Sequence, residues 1–109
     1  MINIEYEKCL LGTMLSQDVD IDSISMKVDS KFFSNTTNAF LYEKILEMKR
    51  EGVPTNLLEL KQRCPNVNPV YIAELTDTVA TSANWEFYAD ELKSLYTACV
   101  YLNFIVKSS

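Results

Sequence analysis

The sequence contains no histidine, and only two glycines and three prolines among its 109 residues. Without histidine, the commonest general base and a common metal ligand are missing. Few glycines and prolines argue against an all-β chain, which needs many tight turns, and favour helices. The two glycines precede Thr13 and Val53, so no Gly-Lys-Ser/Thr phosphate loop can be written. The three cysteines, Cys9, Cys64 and Cys99, are odd in number and far apart, with no zinc-like spacing. They read as small apolar residues in a reduced, cytoplasmic compartment. Serine and threonine are plentiful but have no base partner, which leaves a nucleophilic site without support. Asp18, Asp20 and Asp22 are spaced like the first ligands of a calcium loop. Ser23, however, stands where that loop needs glycine, and Asp29 where a bidentate glutamate would close it. A solvated acidic turn is the expectation there. No catalytic, cofactor-binding or metal-ligating residue is expected in this chain.

Positive charge is also short: ten Lys and Arg stand against fifteen Asp and Glu, a net charge of −5. A phosphate backbone is gripped by clustered positive charge. Here Lys49-Arg50 and Lys61 to Arg63 are flanked or interrupted by other residues, so direct DNA binding is not expected. The N-terminus carries Glu5 and Glu7 and lacks a basic leader. The longest apolar run, Leu95 to Val106, is about twelve residues, short of the roughly twenty that span a bilayer.

What the chain does have is 48% hydrophobic residues, with six Tyr, five Phe and one Trp. That composition and length fit one folded domain with a real core. Ile4, Leu10, Leu11, Met14 and Leu15 recur at near-helical spacing over residues 1–16, with Glu5 and Glu7 in the first turn. A short helix with Ile21, Ile24 and Val28 inward should follow, then a turn at Asp29 to Phe33 whose paired Phe plug the core. Ser34 to Asn38 is rich in capping residues. A helix from Asn38 to Glu51 buries Phe40, Leu41, Ile45, Met48 and Leu46, exposes Glu43, Glu47 and Glu51 as a solvated face, and ends at Gly52. Thr55 or Asn56 caps the next helix, which Pro65 stops. Asn68-Pro69 opens another, with Tyr71, Ile72, Leu75 and Val79 inward. Thr76 to Ser82 is a polar linker.

The last quarter has the strongest pattern. Trp85, Tyr88, Leu92, Leu95, Cys99, Leu102 and Val106 alternate steps of three and four, one stripe down a helix. If helical throughout, Ser82 to Lys107 is about 39 Å long at ~1.5 Å per residue. A domain of this size has a radius of gyration of about 13 Å, so the helix should leave the body. Trp85 and Tyr88 read as core packing. Leu95, Tyr96, Val100, Tyr101, Phe104 and Ile105 read as an interface, because self-burial is hard near a protruding chain end.

Several blocks together resemble the N-terminal domain of DnaB-type replicative DNA helicases. Glu5-Tyr6-Glu7-Lys8-Cys9-Leu10-Leu11-Gly12 is similar to that family's opening Glu-x-Glu-x-x-Leu-Leu-Gly. Phe32-Phe33 resembles its Phe-Tyr pair, with Asn38 near the position of a family histidine. Gly52-Val53-Pro54-Thr55-Asn56 resembles Gly-x-Pro-Ile-Asp. Tyr71-Ile72-Ala73-Glu74-Leu75 is similar to Tyr-Leu-x-x-Leu, and Ser82-Ala83-Asn84 to Tyr88-Ala89 to Ala-Asn-x-x-x-Tyr-Ala. A departure falls at Cys99, where the family often has a basic residue, and Tyr96 to Phe104 is unusually apolar.

The resemblance implies an all-α fold, a small orthogonal bundle of about five to six helices ending in a long protruding C-terminal helix. It implies a single domain over 1–109, with a globular head at 1–92 and the start of a truncated helical hairpin at 93–109. It also implies a non-catalytic module that self-associates as a dimer or trimer-of-dimers collar and docks the C-terminal domain of primase, and possibly a helicase loader. ATP and Mg²⁺ would belong to a motor domain absent from this chain. The alternative is a free-standing adaptor or inhibitor that uses the same fold to bind replisome proteins.

Overall fold

The computed structural model describes residues 4–16, 19–77 and 85–108, with side chains up to 103 in the last segment. The order is α1 (Ile4–Met14), α2 (Ile21–Lys27), a 3-10 turn (Ser30–Phe32), α3 (Thr36–Glu51), α4 (Leu57–Arg63), α5 (Pro69–Asp77) and α6 (Trp85–Ser108). Among the described residues there is no strand, and the fold is all-α as expected.

The starts of α2, α3, α4 and α5 share one device, a short Asp or Asn side chain taking an otherwise unpaired backbone N–H. Asp20 accepts from the Asp22 N–H at 3.1 Å and from the Ser23 hydroxyl at 2.9 Å. Those bonds, the Ser23 hydroxyl first, hold its carboxyl below the usual range. This member of the acidic triplet is therefore a helix cap. Asn35 caps α3 through the Asn38 N–H at 3.0 Å, Asn56 caps α4 through Glu59 at 2.9 Å, and Asn68 takes the Val70 N–H at 2.9 Å. Gly52 closes α3 with φ 77°, the left-handed conformation that glycine adopts without a Cβ clash.

α1 is the central element, packed against α3, α5 and α6. Its Leu10, Leu11 and Met14 meet Leu41, Ile45 and Met48 of α3, Ile72 and Leu75 of α5, and Ala89 and Leu92 of α6 in one continuous core. Ile21, Ile24 and Val28 face inward as their spacing predicts.

Several details differ from expectation. α3 starts at Thr36, so Asn38 is not its cap but lies inside the helix, fully buried. Phe40 is 43% exposed rather than core, with the Lys44 ammonium 5.3 Å from its ring centre. Tyr42 takes the core position instead and donates its hydroxyl to the Val28 carbonyl at 2.6 Å. Burial, reinforced by the nearby Glu43 and Asp29 charges, pushes that phenol well up. Of the Phe pair, Phe33 is buried against Tyr42, their ring centres 5.0 Å apart, while Phe32 is only half-buried. The acidic face of α3 is not simply solvated. Arg63 of α4 donates to both Glu51 oxygens, at 2.8 and 2.7 Å, and lies 3.7 Å from Glu47. The expected inward Val79 lies outside the described residues.

The least expected feature is Glu7, which is 1% exposed in the first turn of α1. Its Oε2 accepts the Ser34 N–H at 2.9 Å and the Ser34 hydroxyl at 2.6 Å. Its Oε1 accepts the Asn35 N–H at 3.3 Å and the Asn38 side-chain amide at 2.9 Å. The Asn38 carbonyl oxygen in turn accepts from the Tyr71 hydroxyl of α5. A buried carboxylate is tolerated only when donors replace its water. Here they all come from the entry to α3, and the network joins α1, α3 and α5.

Two outcomes follow. Glu7→Gln turns an amide N–H₂ towards groups that are already donors. It should destabilise the fold by about 2–4 kcal/mol, read from urea unfolding. Glu51 has its carboxyl held down, first by its hydrogen bonds from Arg63. A lowered folded pKa gives stability that is present above the unfolded value, about 4.3 for Glu, and lost as pH falls through the folded value. The melting-temperature gap between the parent and Arg63→Ala should therefore be full at neutral pH and close in acid.

Candidate interaction surface

The first half of α6 is anchored from three sides. Ala89 and Leu92 enter the core, and Trp85 and Tyr88 pack half-buried against it. Tyr6 of α1 meets Tyr88 with ring centres 5.8 Å apart. Lys27 of α2 lies 5.8 Å from the Trp85 ring centre and 3.6 Å from Glu86.

Beyond Leu92 no described side chain of α6 is buried. Leu95 and Tyr96 are half-buried. Tyr96 rests on Phe32, with ring centres 5.1 Å apart, and the Lys31 ammonium lies 5.8 Å from its ring. After that turn the apolar residues face solvent: Val100 is 47% exposed, Tyr101 64% and Leu102 61%. Cys99 is exposed as well. The seam from Trp85 thus divides. Trp85, Tyr88 and Leu92 pack on the body, whereas Cys99 and Leu102, on the same stripe, are exposed. Phe104 and Ile105 belong to α6, but their side chains lie outside the described residues.

Between α6 and the 3-10 turn lies a groove of about 330 Å³, lined chiefly by Phe32, Leu95, Tyr96, Cys99 and Val100. Glu7 and Ser34 line it too, so the buried network is also one wall of the groove. The sequence placed Leu95, Tyr96, Val100 and Tyr101 on an interface; the structure brings the first three to this groove. It puts Tyr101 in a shallower recess with Ser94, Thr97 and Ala98. Phe32 was not foreseen as a groove residue. Phe32 ends the 3-10 turn and Phe33, in extended backbone just after it, is the one turned into the core.

The described lining of this surface is mostly apolar and aromatic. Among the described residues no group of His, Cys, Asp or Glu is arranged to hold a metal, and no helix is long and apolar enough to cross a membrane.

Comparison with known proteins agrees with this architecture. A family model for the DnaB-like helicase N terminal domain matches residues 1–94. Replicative DNA helicase DnaB of Treponema pallidum (strain Nichols) is 26% identical over 93 residues, covering 79% of this chain and 21% of that protein. Replicative DNA helicase DnaB of Buchnera aphidicola subsp. Baizongia pistaciae (strain Bp) is 24% identical over 95 residues, covering 81% of this chain and 20% of that protein. The chain therefore spans about a fifth of the length of these relatives. The fold is that of the N-terminal domain of DnaB helicase from Mycobacterium tuberculosis, with a TM-score of 0.84 at 21% identity over 97% of this chain and 84% of that one. With the family model covering all of α1 to α5 and the anchored half of α6, the chain belongs to the DnaB-like helicase N-terminal domain family.

Proposed function

We propose that this chain is a non-catalytic assembly and docking domain of a replicative DNA helicase. One observation supports the reading above others: α6 continues past Leu92 with Val100, Tyr101 and Leu102 exposed in succession. A helix that is apolar nearly all round is stable in water only when something covers it. The cover is a second copy of the domain or a further helix of the parent chain, and it builds a collar of dimers or of a trimer of dimers. Leu95, Tyr96, Val100, Tyr101, Phe104 and Ile105 form the contact. The collar docks the C-terminal domain of primase and receives a helicase loader. ATP and Mg²⁺ act in a motor domain outside these 109 residues, and the whole works in the cytoplasm.

Sedimentation equilibrium of the 109-residue chain tests the self-association. The expected result is reversible association that Tyr101→Glu weakens at unchanged melting temperature of the dilute protein. A strict monomer over the whole concentration range, indifferent to Tyr101→Glu, contradicts the proposal. Core truncation separates the two halves of α6. In dilute solution Leu92→Ala should cost about 2–5 kcal/mol of stability. Leu102→Ala should cost less than about 0.5 kcal/mol, as measured by urea unfolding.

A further inference from the structure

The hydrogen-bonded network around Glu7 has two ends, and they open on different parts of the surface. At one end Glu7 and Ser34 line the groove beside α6, with Phe32 in its wall and Tyr96 resting on Phe32. At the other end Tyr71 and Asn35 line a separate depression of about 300 Å³, together with Thr37, Asn66 and Asn68. Among the described residues the two concavities share no lining residue. Both ends are accessible: Ser34 is exposed and Tyr71 is half-buried.

Between them stands Asn38, fully buried within α3. Its side-chain carbonyl oxygen accepts from the Tyr71 hydroxyl, and its amide N–H₂ donates to Glu7 Oε1 at 2.9 Å. An amide carries its acceptor on one side and its donors on the other. Turned over, it would aim its oxygen at the Glu7 carboxylate. In the orientation that serves Glu7, the buried carbonyl oxygen needs a donor of its own, and Tyr71 supplies it. Without that hydroxyl, holding the amide towards Glu7 leaves a buried acceptor unpaired, which is costly. Glu7 passes the constraint on. Its Oε2 takes both the N–H and the hydroxyl of Ser34, two residues after Phe32.

We propose that Tyr71, Asn38, Glu7 and Ser34 form a positioning relay. The Tyr71 hydroxyl sets, through Asn38 and Glu7, where the Phe32 wall of the groove stands. A contact made in the Asn-lined depression therefore changes the shape of the groove, and a contact made in the groove is felt at Tyr71. The coupling is internal to one chain. It does not depend on the self-association proposed for α6, and it is measured in dilute solution, so the two proposals can fail separately.

The test is NMR of the 109-residue chain, read from aromatic ring signals and amide exchange. Tyr71→Phe removes one oxygen and keeps the ring. The expected result is displaced ring signals of Phe32 and Tyr96. The amides of Ser34 and Asn35 should also exchange about fivefold faster relative to that of Leu41 in the middle of α3, the order that one lost hydrogen bond produces. Coupling is reciprocal, so Ser34→Ala, a change at an exposed position, should displace the Tyr71 ring signals in turn. Together the two substitutions should move Phe32 by less than the sum of their separate effects. Ile72→Val loosens α5 beside Tyr71 without touching the relay, and should leave Phe32 and Tyr96 where they are. Unmoved Phe32 and Tyr96 in Tyr71→Phe, unmoved Tyr71 in Ser34→Ala, strictly additive effects, or the same response to Ile72→Val overturns the proposal.

Discussion

The carboxylate of Glu7 is the constraint on which the rest of the structure depends. Placing an acid in a core costs several kcal/mol unless donors replace its hydration. All four donors here come from Ser34, Asn35 and Asn38. The chain entering α3 can supply them together in one arrangement, with Asn35 capping the helix and the positive end of α3 directed at the charge. Tyr71 extends the network to α5 through Asn38. Apolar contacts between α1, α3 and α5 supply most of the driving force but little direction. The hydrogen-bonded carboxylate fixes how the three helices meet.

That constraint reaches the surface through two residues. Phe32 lies just ahead of Ser34, so tying Ser34 to α1 also sets the 3-10 turn on which Tyr96 rests. α6 is therefore supported as far as Tyr96. Its inner half is held by Leu92, Ala89 and the lysine of α2; the described side chains of its outer half from 97 to 103 are exposed. The acids of α6 follow the same division, Glu86, Asp90 and Glu91 lying in the anchored half. One helix thus carries its acids in the anchored half and exposed apolar residues towards its end.

The helices, their order and several of their ends were legible in the sequence because periodicity and capping chemistry act locally. Gly52 and Asn56 terminate and begin helices as their residue types predict. The exposed half of α6 could be suspected from its length set against the size of the body. Glu7 was not read as buried, since an acid in a first or second turn has an ordinary explanation in the helix dipole. A signal was nevertheless there: Glu7 is in phase with Leu10, Leu11 and Met14, and Asn38 with Leu41, Tyr42 and Ile45. Two polar residues, each in the apolar register of its own helix, can satisfy one another across the interface. Arg63 escaped notice for a different reason. Its pairing with Glu47 and Glu51 depends on how α4 folds back on α3, which no local pattern encodes. Phe40 and Tyr42 are two residues apart and point to nearly opposite sides of α3; Tyr42 shares the register of Asn38, Leu41 and Ile45 and goes inside, where its hydroxyl meets the Val28 carbonyl.

The central claim is that α6 consists of an anchored half and a half completed only by a partner. Amide hydrogen exchange across α6, measured in the 109-residue chain at low and high protein concentration, tests it most directly. The account predicts that amides from 86 to 92 exchange slowly and equally in both samples, while those from 97 to 103 exchange quickly when dilute and become protected when concentrated. Equal, concentration-independent protection along the whole helix would contradict it.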